Sequence, residues 1–144
     1  MTTYFIIPCG AAKASAPSLA ADLYTGSMFK FALSSVRAEA EATPGDVVVL
    51  ILSALHGLVA LDDVVAPYDL RMGQAGSITP EALRVQAALI GMDDADSVYT
   101  FLPAAYLAAI DTALRPLFIN VQDVYEAAPG IGYHRGALAS LAKV

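Results

Sequence analysis

The run VVVLIL at residues 47–52 restricts the fold of this chain more than any other feature, because it is apolar on both faces of an extended segment. A strand of this kind must be covered above and below, which is typical of a central strand in a parallel sheet. The run is also far shorter than the roughly 20 apolar residues that a membrane-spanning helix needs. The sequence therefore predicts a buried strand between two layers and no membrane segment.

Strand-like and helix-like segments alternate along the chain. The strand-like runs are Thr3–Pro8, Val47–Leu52, Ser97–Leu102 and Leu117–Val124, and the helical patterns are Gly26–Ala42, Thr79–Ile90, Pro103–Pro116 and Tyr133–Lys143. Such alternation predicts parallel strands joined by right-handed crossovers. We therefore expect an α/β fold in which residues 1–144 form a single three-layer sandwich with a four-stranded, mostly parallel sheet.

The composition favours one packed domain and disfavours duplex nucleic acid as a partner. Of 144 residues, 57% are hydrophobic and 15% are charged, which suits a globule with a sizeable core. The net charge is −6, and the eight Lys and Arg residues are scattered along the chain. Because proteins that hold duplex DNA by its phosphates normally present a basic face, nucleic acid is a partner that the charge does not support.

The single cysteine and the first residues indicate a cytoplasmic protein. One cysteine cannot form an internal disulfide, and the segment MTTYFIIPCG lacks the basic n-region of a signal peptide. One Cys and two His give no recognisable metal-ligand spacing, so we expect no metal and no cofactor. The high apolar content leaves room for a homo-oligomer interface.

Most polar and reactive side chains follow the predicted strands, at one rim of the sheet. Open parallel sheets bind ligands beyond the carboxyl ends of their strands. The segment Ser53–Ile78 is too long for an ordinary connector, and loops of that length are usually functional or mobile. The rim residues are Cys9, Gly10 and Lys13 after the first strand, Ser53, His56, Gly57, Tyr68, Asp69 and Arg71 after the second, and Asp123, Tyr125 and Glu126 after the fourth.

The loop after the first strand carries Cys9 and Lys13 among small residues. Cys9 is either a small buried apolar residue or a nucleophile whose thiolate a nearby cation, Lys13 or His56, would stabilise. Lys13 is either a solvated surface lysine or a point charge on an anion held by free backbone amides. The loop is not a P-loop, because the Gly-Lys-Ser/Thr ending is missing.

The segment LSALHGLV at residues 52–59 places a serine, a histidine and a glycine after a buried strand. His56 could serve as an acid, a base or a donor to a substrate oxygen, or its ring could be satisfied by backbone groups. Gly57 permits a close backbone approach. A triad of Ser53, His56 and Asp69 is set aside, because the G-x-S-x-G nucleophile elbow is absent.

The segment APYDLRM at residues 66–72 groups an aromatic ring, a carboxylate and a guanidinium. Tyr68 could stack on a ring while Asp69 reads or attacks it. Alternatively, Asp69 and Arg71 could form a plain surface ion pair. A weaker signal, in YHRG, gives His134 and Arg135 as phosphate ligands or as a simple helix start.

Three stretches, IIPCGAAK, ADLYTGSMFKFA and VLILSALHGLVALDDVVAPYDLRM, resemble a family of small uncharacterised domains common in phages and bacteria. That family is distantly similar to the peroxide-stress YaaA proteins and to the uracil-DNA-glycosylase-like domain of archaeosine tRNA-guanine transglycosylases. The resemblance implies a uracil-DNA-glycosylase-like sandwich with a nucleobase or nucleotide pocket. The positions that match the motif are Cys9, Lys13, Tyr24, Ser53, Gly57 and Tyr68, while Gly10 and His56 depart from it.

The resemblance also implies chemistry at an N-glycosidic bond of a nucleotide or modified nucleic acid, as in a glycosidase or a base-exchange glycosyltransferase. Tyr24 or Tyr68 would form an aromatic wall, Asp69 would stabilise an oxocarbenium-like sugar, and His56 or Lys13 would donate to the departing base. The alternative is a non-catalytic nucleotide-binding phage accessory or counter-defence protein, located in the host cytoplasm. A third hypothesis is a protein-interaction module.

Overall fold

The computed structural model describes residues 2–125 of the chain. The main sheet consists of β1 (Thr2–Pro8), β3 (Asp46–Ser53), β4 (Gly57–Ala60), β6 (Ser97–Thr100) and β7 (Val121–Asp123). The strand order is β4-β3-β1-β6-β7, with β4 antiparallel to β3 and all other neighbours parallel. The prediction of an α/β fold with a mostly parallel sheet is therefore confirmed.

The remaining elements are a small ribbon and the helices. The ribbon pairs β2 (Ser18–Leu19) with β5 (Val64–Val65), and the helices are α1 (Ala20–Leu23), α2 (Ser27–Ala42), α3 (Pro80–Leu89) and α4 (Ala104–Leu114). Thr79, the first residue of the predicted helix Thr79–Ile90, caps α3, because its hydroxyl accepts a hydrogen bond of 3.2 Å from the Ala82 amide. The helix predicted at Tyr133–Lys143 lies outside the described residues. None of the helices described is both long and apolar enough to span a bilayer.

Strand β1 is buried on both faces and separates two apolar clusters. Successive side chains of a strand point to opposite faces. Phe5 packs in the cluster that contains Phe29 of α2, while Ile6 packs in the cluster that contains Leu83 of α3 and Ile110 of α4. Helices therefore cover both faces of the sheet and form the predicted three layers.

The sheet has five strands rather than the predicted four, because β4 lies inside the segment that was expected to be irregular. The Ser53 hydroxyl accepts hydrogen bonds from the amides of Leu55 and His56, at 3.3 and 3.0 Å, and thereby closes a tight turn. Gly57 then adopts a φ of 77°, which reverses the chain onto β3. This turn lacks the Asn-Gly or Asp-Gly pair by which short hairpins are recognised.

Strand β7 is also shorter than predicted, since it begins at Val121 rather than Leu117. Arg115–Leu117 forms a 3-10 turn that contains Pro116, and Phe118 adopts a positive φ of 59°. A bulky residue rarely occupies this left-handed region, and no strand can pass through it. The 3-10 turn and Phe118 therefore prevent the strand from beginning at Leu117.

The outer edge of β4 is occupied by side chains. The Gln86 amide of α3 accepts from the Leu58 amide and donates to the His56 carbonyl, both at 2.8 Å. The Asp63 carboxylate accepts from the Ala60 amide at 2.9 Å. Gln86 thus takes the place of a neighbouring strand and fixes the turn that carries His56.

We predict that Gly57→Ala destabilises the protein more than Gly73→Ala. Both glycines have a positive φ, but a Cβ on Gly57 would lie 2.5 Å from Ile78 Cδ1 and would also clash with Gln86, whereas a Cβ on Gly73 meets nothing within 4 Å. Left-handed strain alone costs about 1 kcal/mol. Displacement of the Gln86 amide should raise the cost at Gly57 to at least about 2 kcal/mol. Urea unfolding measures both, and equal losses would contradict the prediction.

Candidate functional site

A cavity lies where the paths that leave β1 and β6 diverge. The chain runs from β1 to β3 on one side of the sheet and from β6 to β7 on the other. This topological switch point is where open α/β sheets bind ligands. The switch-point cavity has a volume of about 180 Å³ and is lined by Pro8, Cys9, Gly10, Met28, Phe29, Ala32, Phe101, Pro103, Tyr106 and Tyr125.

The switch-point cavity is aromatic and apolar, with few polar groups. Cys9 Sγ and Tyr106 Oη are 3.4 Å apart. Burial raises the pKa of Tyr106, and the neighbouring Cys9 raises it further. Burial also raises the pKa of Tyr125, with a smaller contribution from the charge of Asp123. Both phenols therefore stay protonated at neutral pH, and the cavity combines apolar walls with hydroxyl groups, as small-molecule sites do.

Next to the cavity, three hydroxyl groups from separate segments meet. Tyr68 Oη lies 2.7 Å from Tyr24 Oη and 2.6 Å from Ser53 Oγ. Since Ser53 already accepts from two backbone amides and a hydroxyl has two acceptor sites, its own proton is donated to Tyr68. Ser53 and Tyr24 are almost fully buried. We refer to Tyr24, Ser53 and Tyr68 as the hydroxyl cluster.

Two predicted site residues border the hydroxyl cluster. Lys13 Nζ lies 4.4 Å from the ring centre of Tyr68 and 5.7 Å from that of Tyr24. The His56 ring is 5.5 Å from the Tyr68 ring and stands at 89° to it. The structure therefore brings Lys13, Tyr24, Ser53, His56 and Tyr68 together, as the sequence analysis expected of Lys13, His56 and the Tyr68 segment.

The loop that carries Lys13 is anchored to the chain that precedes α2. The Ala14 amide donates to the Leu23 carbonyl at 2.8 Å, and the Thr25 amide donates to the Ala12 carbonyl at 2.9 Å. These bonds form a bridge that places Lys13 opposite Tyr24. The loop is therefore held against α1 and α2 and directs Lys13 toward the tyrosines.

Cys9 lies between the switch-point cavity and the hydroxyl cluster. Its amide donates to the Leu52 carbonyl at 3.1 Å, which continues the pairing of β1 with β3. Burial raises the pKa of Tyr24 and Tyr68, and Cys9 adds to both increases, as it does for Tyr106. The ring of Phe29, which lines the cavity, lies 5.0 Å from the Tyr24 ring of the cluster, so the cavity and the cluster adjoin one another. Gly10 belongs to the same region, since a Cβ on it would lie 3.7 Å from Phe29 Cβ.

Asp69 and Arg71 are not joined to this site in the part of the chain that the structure describes. Both residues are exposed, and the ion pair found among residues 2–125 is Arg115–Asp111 rather than Asp69–Arg71. The Arg71 amide, not its guanidinium, donates to Gln74 Oε1 at 2.7 Å. Over the same residues, no group of three or more His, Cys, Asp or Glu side chains is placed to hold a metal.

Sequence reasoning missed the aromatic walls of the cavity and the role of Gln86. Phe101 directly follows β6 but lies inside the predicted strand Ser97–Leu102, and Tyr106 lies in the first turns of α4, so a search of the rim after that predicted strand would have found Tyr106 alone. Phe29 belongs to the apolar stripe of α2, where a cavity wall and a core residue look alike. Gln86 gives no sequence signal, because its partners are backbone groups of β4.

We predict that stability decreases above about pH 10 and that Tyr68→Phe reduces this decrease. An unfolded tyrosine ionises near its ordinary pKa of 10.0, whereas burial holds the pKa of Tyr68 above that value in the folded protein. The unfolded state then binds fewer protons, so the free energy of unfolding falls as the pH rises. Urea unfolding from neutral to alkaline pH measures the change. An unaltered decrease in Tyr68→Phe would contradict the assignment.

The family comparison covers almost the whole chain. No curated protein matches it. A family described only as of unknown function matches residues 4–137, and this description carries no activity. The similarity to YaaA proteins and to uracil-DNA-glycosylase-like domains stays a prediction. The match itself is decisive for membership: the chain belongs to the family of unknown function DUF6884.

Proposed function

We propose that this protein recognises a nucleobase or nucleotide, with the base in the switch-point cavity. The observation that supports the proposal most directly is a cavity of about 180 Å³ whose walls include Phe29, Phe101 and Tyr106. Apolar cavities of about 150 Å³ hold benzene, and drug-sized ligands occupy roughly 300–1,000 Å³. The space therefore suits one planar ring system, and aromatic side chains are the usual stacking partners of bases.

The polar groups of the cavity suit the edge of a base. The hydroxyl group of Tyr106 can donate a hydrogen bond to a ring nitrogen or carbonyl oxygen atom. Because burial raises the pKa of Tyr106, this group remains a donor at neutral pH. The few polar groups would then fix the orientation of the ring, while the aromatic walls supply most of the contact area.

The resemblance noted in the sequence supports the same assignment. The matched residues Lys13, Tyr24, Ser53 and Tyr68 form or border the hydroxyl cluster, and Cys9 lines the cavity beside it. A motif that is spread over separate segments and converges on one pocket is more readily explained by a shared ligand than by packing alone.

Cleavage of an N-glycosidic bond is the second candidate function. It would depend on Asp69, an exposed carboxylate that directly follows Tyr68 in the chain. Recognition ranks first, because the described residues that line the cavity include no carboxylate. Stabilisation of an oxocarbenium-like transition state requires such a group near the sugar.

Cleavage predicts release of free base from nucleosides, nucleotides or modified tRNA and DNA. Asp69→Asn should reduce the rate by at least about 100-fold, since the charge that stabilises the transition state is lost. Asp62→Asn, which removes another exposed carboxylate, should leave the rate unchanged. Chromatography of the products measures base release. Equal release by wild type and Asp69→Asn would eliminate this candidate.

Recognition predicts that Ala32→Leu abolishes binding of nucleobases and nucleosides. Ala32 lines the cavity, and three added carbon atoms would fill much of its volume. Ala88→Leu makes the same change at an exposed position of α3 and serves as the control. Calorimetry with the common bases and nucleosides measures affinity. Unchanged binding by a folded Ala32→Leu variant would place the ligand elsewhere.

A further inference from the structure

We propose that Lys13 and His56 form an anion subsite that binds the phosphate of a nucleoside monophosphate. The inference rests on the proposed function and narrows its ligand class from bases and nucleosides to their phosphate esters. The main observation behind it is that the Lys13 ammonium group lies over the rings of Tyr68 and Tyr24 rather than beside a carboxylate.

The ammonium group of Lys13 has spare donors. It has three N–H groups, and one of them donates to the Ala11 carbonyl at 3.2 Å. Within residues 2–125, no carboxylate lies at ion-pair distance from it. The faces of Tyr68 and Tyr24 hold the charge by cation–π attraction and leave it available to a ligand.

His56 adds a second donor from another segment. Its amide donates to Ser53, and its carbonyl accepts from Gln86, so the backbone of the turn is fixed at both ends. The residue itself is exposed, and its ring forms no hydrogen bond with another residue of the described chain. Lys13 Nζ and the His56 ring are both within 5.5 Å of the centre of the same Tyr68 ring. The Tyr68 ring therefore has a full positive charge and an imidazole N–H as neighbours.

The subsite lies beside the base cavity rather than apart from it. Cys9 and Phe29 line the cavity, and the Phe29 ring lies 5.0 Å from the ring of Tyr24, which in turn lies 5.7 Å from Lys13 Nζ. A nucleotide with its base in the cavity would extend its sugar past Cys9 and place its phosphate near Lys13. A small pocket with one or two cations also fits a single phosphate better than a nucleic-acid backbone, which normally requires a basic face.

The test compares four ribonucleosides with their monophosphates, and with inorganic phosphate, by calorimetry at low salt. Wild type should bind the best monophosphate at least about tenfold more tightly than its nucleoside, the effect of one charge-assisted hydrogen bond. Lys13→Met, which keeps an apolar chain on the rings, should lose this preference and keep nucleoside affinity. Lys13→Arg should retain it, and His56→Gln should reduce it. Lys30→Met is the control, because Lys30 is exposed on α2.

The outcomes separate this inference from the proposed function. Nucleosides that bind wild type as tightly as monophosphates, or a Lys13→Met variant that keeps the preference, would overturn the anion subsite and leave base recognition intact. Absence of binding by every compound would overturn both. A preference that weakens equally in Lys30→Met would show that net charge, not this subsite, attracts the phosphate, and would also overturn the inference.

Discussion

The requirement that β1 and β3 be covered on both faces organises the molecule. Phe5 and Ile7 need the layer that contains α2, and Ile6 needs the layer that contains α3 and α4. Crossovers return the chain to the same edge of the sheet before β3, β6 and β7 begin, whereas β4 follows β3 directly and runs antiparallel to it. The loops after β1, β3 and β6 consequently meet at one rim. The position of the site thus follows from the burial of the strands.

The site is rigid where it is polar and open where it is apolar. Tyr68 joins a residue of the loop before α2 to the last residue of β3 through hydroxyl groups, and neither partner carries a charge. Hydrogen bonds between buried neutral groups are costly to break, because an orphaned hydroxyl loses its full desolvation energy. Among residues 2–125, the cavity beside it is lined mainly by apolar and aromatic side chains, with a contact of 3.4 Å between Cys9 Sγ and Tyr106 Oη. A ligand could therefore enter without disturbing the bonds that fix the chain.

Periodicity was sufficient for the elements that depend on local pattern. Burial and helix capping act over a few residues. The sheet, the layers and the rim could therefore be predicted from the run VVVLIL, the apolar stripe of α2 and the Thr79-Pro80 helix start. The pairing of β4 was missed because it depends on Ser53 and Gly57 closing a turn against Gln86, which is distant in sequence. The prediction joined Lys13, His56 and the Tyr68 segment correctly. Asp69 and Arg71 are exposed whereas Tyr68 is half-buried, because successive side chains of an extended segment face opposite ways, and their roles at the site stay predictions.

The side chains of Gln86 and Asp63 on the outer edge of β4 affect whether another strand can pair with this sheet. An edge strand ordinarily offers a row of free amides to any extended segment that approaches it. Here Gln86 and Asp63 already occupy the amides of Leu58 and Ala60, so an incoming strand would have to displace both side chains to bond those two amides. This edge of the sheet is therefore a poor template for the addition of another strand.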